Sequence, residues 1–272
     1  MLDLAEYVLS SPDNYIRSDY ALSPELVGKP IYTAPLMGVA AADDAYFSVL
    51  QERRAVGPWF RKPEDWLPGA KSVISVFFPY SDAVKAAEDV TVPEVSPFWL
   101  HARYEGNDFL FKVIRALRDS LEQEGYRAVI PSASKEFFSV WAPGSSDKLA
   151  DPAVGFTSAW SERHVAFVCG LGTFGLSGGL ITEKGVCGRF GSIVTDAVLP
   201  VTPRRYTEVY EYCTRCGVCA AHCPVGAIDI EKGKDHRPCG ERINATKIAY
   251  APRYGCGKCQ IAVPCSSGIP KR

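Results

Sequence analysis

Eight of the chain's ten cysteines fall between residues 213 and 265, close enough in sequence to gather several thiolates around a metal group. The run Cys213-Thr-Arg-Cys216-Gly-Val-Cys219-Ala-Ala-His-Cys223-Pro224 has the spacing C-x2-C-x2-C-x3-C-P. Such spacing wraps three thiolates around one face of an iron–sulfur cubane and sends the fourth cysteine to a second one. Gly217 lets the backbone pass close to the inorganic sulfurs, and Pro224 turns the chain away at the fourth ligand. A second cubane holding Cys223 needs three more thiolates, and Cys239, Cys256 and Cys259 supply them. The first, holding Cys213, Cys216 and Cys219, takes Cys265. The count closes on two [4Fe–4S] clusters, which move single electrons at low potential. Pairs of the form C-x2-C also build zinc ribbons, but the triple run followed by x3-C-P favours iron and sulfide. Cys265 departs from a regular repeat: five residues separate it from Cys259, and Pro264 precedes it. Cys169 and Cys187 lie outside the constellation and read as small buried apolar residues.

Composition bounds what surrounds these thiols. A chain of 272 residues, 47% hydrophobic and 22% charged, has the balance of a soluble globular protein with one large domain or two unequal ones. No apolar run approaches the roughly 18 residues of a membrane span, and the acidic Met-Leu-Asp-Leu-Ala-Glu start lacks the basic segment of a signal peptide. Arg53-Arg54 and Arg204-Arg205 are internal, so neither reads as a twin-arginine export signal. The expectation is a cytoplasmic protein with no membrane partner, where crowded cysteines mean metal before disulfide. Residues 201–272 hold 12 Lys and Arg against 6 Asp and Glu, while residues 1–200 hold 18 against 25. A basic segment could meet nucleic acid, but these cations are dispersed, and each oxidised cubane with its thiolates carries about −2 for them to offset.

The elements expected ahead of the cysteines alternate. Asp43-Asp44 could cap a helix through Ala45–Arg54. The β-branched and aromatic run Ser72–Phe78 predicts a buried strand halted by Pro79, and a proline-rich loop with Pro93 and Pro97 follows. Leu110, Val113, Ile114, Leu117 and Leu121 keep one helical face, with Asn107 or Asp108 as cap and Gly125 as stop. Tyr126–Ile130 and Phe190–Leu199 are further expected strands. The domain reading is an α/β unit over 1–200, followed by a ferredoxin-like domain with two clusters over 201–272.

Gly170-Leu-Gly172-Thr-Phe-Gly175 matches the dinucleotide fingerprint G-x-G-x-x-G, with Val165–Cys169 as a possible strand before it and Asp196 at roughly the right distance. The residues that follow, Leu-Ser-Gly-Gly-Leu-Ile-Thr-Glu-Lys-Gly, are too rich in glycine for the required helix and predict a loop and hairpin, so dinucleotide binding is rejected. Either tight turns or close approach to something flat or bulky explains so many glycines. His222 lies within the cysteine run and is expected to pack or hydrogen-bond there. His101, His164 and His236 read as structural or exposed, and no nucleophilic triad or Walker loop can be assembled.

Several segments together carry a resemblance: Trp66-Leu-Pro-Gly-Ala-Lys-Ser-Val-Ile-Ser-Val76; His101-Ala-Arg103 ahead of the helix with Lys112-Val-Ile114; Glu162 followed by Ala-Phe-Val-Cys-Gly-Leu-Gly-Thr-Phe-Gly at 166–175; Ser192-Ile-Val-Thr-Asp196; and Gly255-Cys-Gly-Lys-Cys-Gln260. In these the chain resembles the epoxyqueuosine reductases and, more distantly, the reductive dehalogenases. The resemblance implies an α+β fold, a nitroreductase-like α/β layered domain with a ferredoxin-like two-cluster domain after it. It implies a cobalamin held base-off, with Gly170, Leu171, Gly172, Gly175 and Ser192 against the corrin ring. Electrons from a ferredoxin or flavodoxin would pass through both clusters to cobalt, and the reduced cofactor would act on a small molecule.

Two departures shape that expectation. The family's catalytic Asp, six residues before the position of Glu162, is Phe156 here, which leaves Tyr104 and Asp151 as candidate proton donors. The family's helical domain that helps hold tRNA follows its clusters, whereas this sequence runs to Arg272. The expected activity is therefore a cobalamin-dependent reduction other than that of epoxyqueuosine in tRNA. The competing readings are an electron carrier, and an activator that reduces the corrinoid of a partner protein.

Overall fold

The computed structural model describes residues 2–141 and 156–271. Its strands ahead of the cysteine-rich segment are, in chain order, β1 (Leu36–Ala41), β2 (Ser72–Pro79), β3 (Ala128–Val129), β4 (Ser139–Trp141), β5 (Phe156–Ser158), β6 (Gly172–Phe174), β7 (Leu180–Thr182) and β8 (Gly188–Thr195). Four of them form the central sheet in the order β1-β2-β8-β3, antiparallel throughout. The β4–β5 and β6–β7 pairs are separate two-stranded units. The fold is a mixed α and β one with small antiparallel sheets, ending in the cysteine-rich segment.

Every residue of β2 is buried, because both sheet faces are covered. Successive side chains point to opposite faces. Ile74, Val76 and Phe78 join Val39 and Ile193 beneath the long helix Glu105–Gln123, which buries Phe109, Leu110, Val113, Ile114, Leu117 and Leu121. Val73 and Phe77 point the other way, into a cluster with Val194, Trp160 and the helix Glu162–Val168. Cys219, Ile228, Ile261 and Val263 belong to the same apolar core as Ile74 and Val76, so the cysteine-rich segment is seated on the sheet domain by hydrophobic burial.

Local expectations are met in part. The long helix begins at Glu105, ahead of the proposed caps, and ends before Gly125 at φ +90°. Only Tyr46–Val49 of the helix expected through Arg54 is helical, since the N–H groups of Val56 and Gly57 turn back onto the Leu50 carbonyl. Val165–Cys169 is helical up to Val168 rather than extended. The strand predicted to Leu199 stops at Thr195, where the Asp196 carboxylate accepts from the backbone N–H and Nε of Arg127, both at 2.8 Å. The predicted hairpin is present as β6–β7. Among the described residues no helix is long and apolar enough to cross a membrane.

Candidate functional site

The cysteine loops start from backbone shapes that their residues permit. Gly217, at φ +77°, precedes the short helix Val218–Ala221 that carries Cys219, and Arg215 takes φ +54° between Cys213 and Cys216. The loop is tied to the sheet domain at Tyr212, whose N–H donates to Thr173 Oγ1 at 2.9 Å. The Phe174 N–H donates to the Val209 carbonyl at 2.7 Å. Cys265 arrives from the far end of the chain, where its carbonyl accepts from Val186 N–H at 2.9 Å. Cys213, Cys216, Cys219 and Cys265 thereby line one cavity of about 350 Å³, with Gly175 and Leu176 on its wall. The Cys265 thiol is pushed up to about 12, by burial first and then by Cys219 and Cys213 beside it.

The other four thiols meet separately. Cys239 is carried by the helix His236–Ala249, whose N-cap Asp235 accepts from Arg237 N–H at 2.8 Å. Cys256 and Cys259 flank Gly257, where a Cβ would stand 2.3 Å from the Trp99 ring, so only glycine lets this loop lie on the indole. Burial pushes the Cys259 thiol up to about 11; Lys234 opposes this, while Cys256, Cys239 and Cys223 add to it. Cys213, Cys216, Cys219 and Cys265 thus share one cavity, and Cys223, Cys239 and Cys256 all act on Cys259. Among the described residues, no three His, Cys, Asp or Glu side chains are drawn together closely enough to hold a single metal ion.

The remaining cysteines and histidines have structural partners. Cys169 and Cys187 are buried, and the Cys187 thiol donates to the Gln260 carbonyl at 2.7 Å. His222 Nδ1 donates to the Ile261 carbonyl at 3.0 Å, beside the first quartet's loop. His101 is fully buried between Glu105 Oε2 and Leu22 N–H, each at 3.0 Å.

The glycine loop has an internal explanation. A Cβ on Gly172 would stand 2.0 Å from the Ile181 carbonyl oxygen, and one on Gly185 would stand 2.3 Å from the Ser266 carbonyl oxygen. Gly175 faces Ile181. Gly170 and Leu171 line a separate cavity of about 610 Å³ with Tyr212, Thr202 and Arg205. Ser192 is fully buried, accepting from Trp160 Nε1 at 2.8 Å and donating to Glu162 Oε2 at 2.6 Å. The close contacts at Gly172, Gly175 and Ser192 are thus made by the chain itself. Tyr104 stands at the junction of the helix Pro97–Arg103 with the long helix; Asp151 lies outside the described residues.

A group of cationic side chains that spacing did not reveal lies within electrostatic reach of the second group of cysteines. Arg163 keeps exposed area, and burial is the main cause of its lowered pKa. Arg189 is its strongest charged neighbour, and Cys259 and Cys239 also act on it. Arg103 belongs to the same group, with Trp99 one helical turn before it. Arg103 Nε, Trp99 Nε1 and Tyr32 Oη are buried without hydrogen-bond partners. No motif marks these residues, because arginine is ordinarily a surface residue.

Glu162, next to Arg163 in the chain, has a carboxyl raised to about 7 by burial, with the hydrogen bonds from Ser192 and Ser132 working the other way. Its usual value is 4.5, so between about 4.5 and about 7 the folded chain holds a proton that the unfolded chain has released. Stability from this group therefore falls as pH rises through that window. Glu162→Gln, having no proton to lose, is expected to flatten the decline; anaerobic thermal melting at about pH 5 and about pH 8 checks it. Parallel pH slopes in the two proteins would assign the decline to other groups.

Comparison with known proteins follows the same lines. A 4Fe-4S binding domain model matches residues 206–229, which include Cys213 to Cys223. The chain has the fold of epoxyqueuosine reductases: it is 19% identical to one solved with an epoxyqueuosine-modified tRNA-Tyr stem loop, at a TM-score of 0.54, covering 87% of this chain and 63% of that one. A selenomethionine-labelled epoxyqueuosine reductase gives 0.52 at the same identity and coverage. A catabolic reductive dehalogenase gives 0.52 at 15% identity, covering 86% of this chain and 30% of that one. The chain thus spans under two thirds of these proteins' lengths. No curated protein matches it in sequence. The class defined is the fold shared by these epoxyqueuosine reductases and the reductive dehalogenase, with a 4Fe-4S binding domain match in its cysteine-rich segment.

Proposed function

We propose that the chain is a reductase carrying two [4Fe–4S] clusters, held by Cys213, Cys216, Cys219 and Cys265 and by Cys223, Cys239, Cys256 and Cys259. It passes electrons one at a time to an acceptor on the side of the second quartet. The observation that carries this reading is the shared lining of one cavity by Cys213, Cys216, Cys219 and Cys265, with Cys223, Cys239 and Cys256 all acting on Cys259. A path of that kind needs a donor protein such as a ferredoxin or flavodoxin on the side of the first quartet, where Cys216 is exposed. The division of labour is a sheet domain up to about residue 200 and a cluster domain after it.

A base-off cobalamin is the acceptor that the resemblance implies. Gly172, Gly175 and Ser192 do not fit as its cradle, since the chain already fills their approaches. Buried donors on Arg103, Trp99 and Tyr32 lack hydrogen-bond partners, and an acceptor-rich group such as a corrin edge would satisfy them. When bound, the cofactor supplies a redox metal that protein side chains lack. The chain's own residues donate hydrogen bonds to it and, at Glu162, keep a carboxyl that still holds a proton near neutrality.

The test is EPR on protein purified and reduced without oxygen, then titrated with cob(II)alamin. Reduced-cluster signals together with a base-off cobalt signal are the expected result. Cluster signals with free cobalamin would replace this reading with an electron carrier.

A further inference from the structure

Trp99 is 2% exposed, and its indole Nε1 is buried without a hydrogen-bond partner among the described residues. Two other buried indoles are satisfied. Trp160 Nε1 donates to Ser192 Oγ at 2.8 Å, and Trp66 Nε1 donates to the Arg61 carbonyl at 3.3 Å. Burying a donor that gives up water and gains no acceptor is costly, so such an orphan marks a place where an acceptor belongs.

The indole lies across the turn that carries Cys256. A Cβ on Gly255 would stand 3.4 Å from Trp99 Nε1 and 3.3 Å from its Cδ1, and one on Gly257 would stand 2.3 Å from Cε2 and Cζ2. The pyrrole edge thus faces the residue before the cysteine, and the six-membered ring faces the residue after it. Both sides of this contact are fixed. The Trp99 backbone N–H donates to Ser96 Oγ at 3.1 Å at the helix start, and its ring meets Tyr80 at 5.1 Å, edge to face. Lys258 ties the turn to Glu88 at 2.6 Å, and the Glu88 carboxylate accepts from the Ser96 N–H at 2.9 Å. The donor is therefore held against the turn that bears one thiol of the proposed second quartet. Arg103, one helical turn further on, brings its Cδ to 3.2 Å from the same Gly255 position, and its Nε is also buried without a partner.

We propose that Trp99 Nε1 donates a hydrogen bond to a sulfur of the second cluster, at Cys256 Sγ or an inorganic sulfide, and makes that cluster easier to reduce. This rests on the two-cluster reading above. Reduction adds negative charge to the cubane, and a donated hydrogen bond stabilises the more negative state, so it raises the potential. A corrin edge is the other acceptor within the proposed function, and the contact of Nε1 with the Gly255–Gly257 turn favours sulfur.

The test is a redox titration, followed by EPR, of anaerobically purified, cluster-loaded protein without cobalamin. Trp99→Phe keeps an aromatic ring and changes no charge, so a shifted potential reports the lost N–H. The reduction step that Cys256→Ala abolishes belongs to the second cluster. In Trp99→Phe that step is expected to become about ten-fold harder, which is about 59 mV lower for one electron. The other step should not move, and neither should move in Trp59→Phe, whose indole is 39% exposed. Iron content and thermal melting establish that each variant is loaded and folded. An unchanged second-cluster potential in loaded Trp99→Phe overturns the hydrogen bond, and so does an equal shift of both clusters. A parent protein without the second cluster removes the two-cluster reading, and the inference falls with it.

A second measurement needs no substitution. Parent protein carrying tryptophan isotopically labelled at the indole nitrogen is reduced, and pulsed EPR reads the second cluster. A coupling to the labelled nitrogen is expected, and its absence overturns the contact even where Trp99→Phe fails to fold. Cobalamin is titrated last. Equal cobalamin affinity in parent and Trp99→Phe supports sulfur as the acceptor. Affinity that falls in Trp99→Phe while the cluster potential stays constant moves the donor to the corrin and overturns the assignment. A shifted potential with no corrinoid binding at all leaves sulfur as the acceptor and removes only the cofactor reading.

Discussion

Cys216→Ala is expected to strip about half the iron from anaerobically purified protein, Cys256→Ala about the other half, and the double variant nearly all of it. In the proposed assignment the two quartets share no cysteine, so losing one thiolate would open one cubane and leave its neighbour's coordination complete. Cys216 is the right probe for the first quartet because it is exposed, and its removal leaves no hole in the core. Cys219 would be a poor choice: it is buried in the shared apolar core, so its loss would mix unfolding with cluster loss. Far-ultraviolet circular dichroism of Cys216→Ala should stay close to that of the parent, since the sheet and long helix have their own contacts. Reduced-state EPR should change from the broadened pattern of two coupled clusters to one isolated cluster. Full iron in either single variant rejects that cysteine as a ligand. Complete loss in both would mean that the quartets fold as one unit. Zinc in place of iron would reject the cubanes outright.

Much of this site was legible because cysteine spacing is a local geometric constraint that survives in one dimension. The assignment of Cys265 to the first quartet came from counting, against an irregular spacing; the structure brings it to Cys213, Cys216 and Cys219 through the contact of its carbonyl with Val186. β2 and the long helix were readable for the same reason, being continuous runs with one clear period. The arginines near the second group of cysteines were not readable, because arginine is ordinarily a surface residue and no motif marks Arg103, Arg163 or Arg189. The glycines at 172 and 185 were open to two readings. A sequence shows that a side chain is missing but not whether a ligand or the chain's own carbonyl fills the space, and here the chain fills it.

Lys258→Met is expected to cost about 3–5 kcal/mol, a large share of a domain's stability. Lys258 sits between Cys256 and Cys259 and is almost wholly buried, with Nζ 2.6 Å from Glu88 Oε1 and 2.6 Å from the Asp89 carbonyl. Glu88 is also buried, and its Oε2 accepts from the Ser96 N–H at 2.9 Å. This pair fastens the second quartet's loop to the segment leading into the helix Pro97–Arg103, which carries both Trp99 and Arg103. Removing the lysine alone strands a carboxylate in a low-dielectric interior, which is why the single change costs more than the intact pair contributes. The double variant Glu88→Gln, Lys258→Met keeps an acceptor for Ser96 and buries no charge, so it should recover most of the loss. Anaerobic thermal unfolding of the loaded protein reads the stability, and chelator-driven iron release reads the loop. Lys258→Met should release about half its iron faster than the parent, because the second quartet alone depends on this anchor. A single variant within about 1 kcal/mol of the parent would show that the pair behaves as a solvent-screened surface contact. A double variant no better than the single would place the cost in lost packing of the lysine stem rather than in the stranded charge.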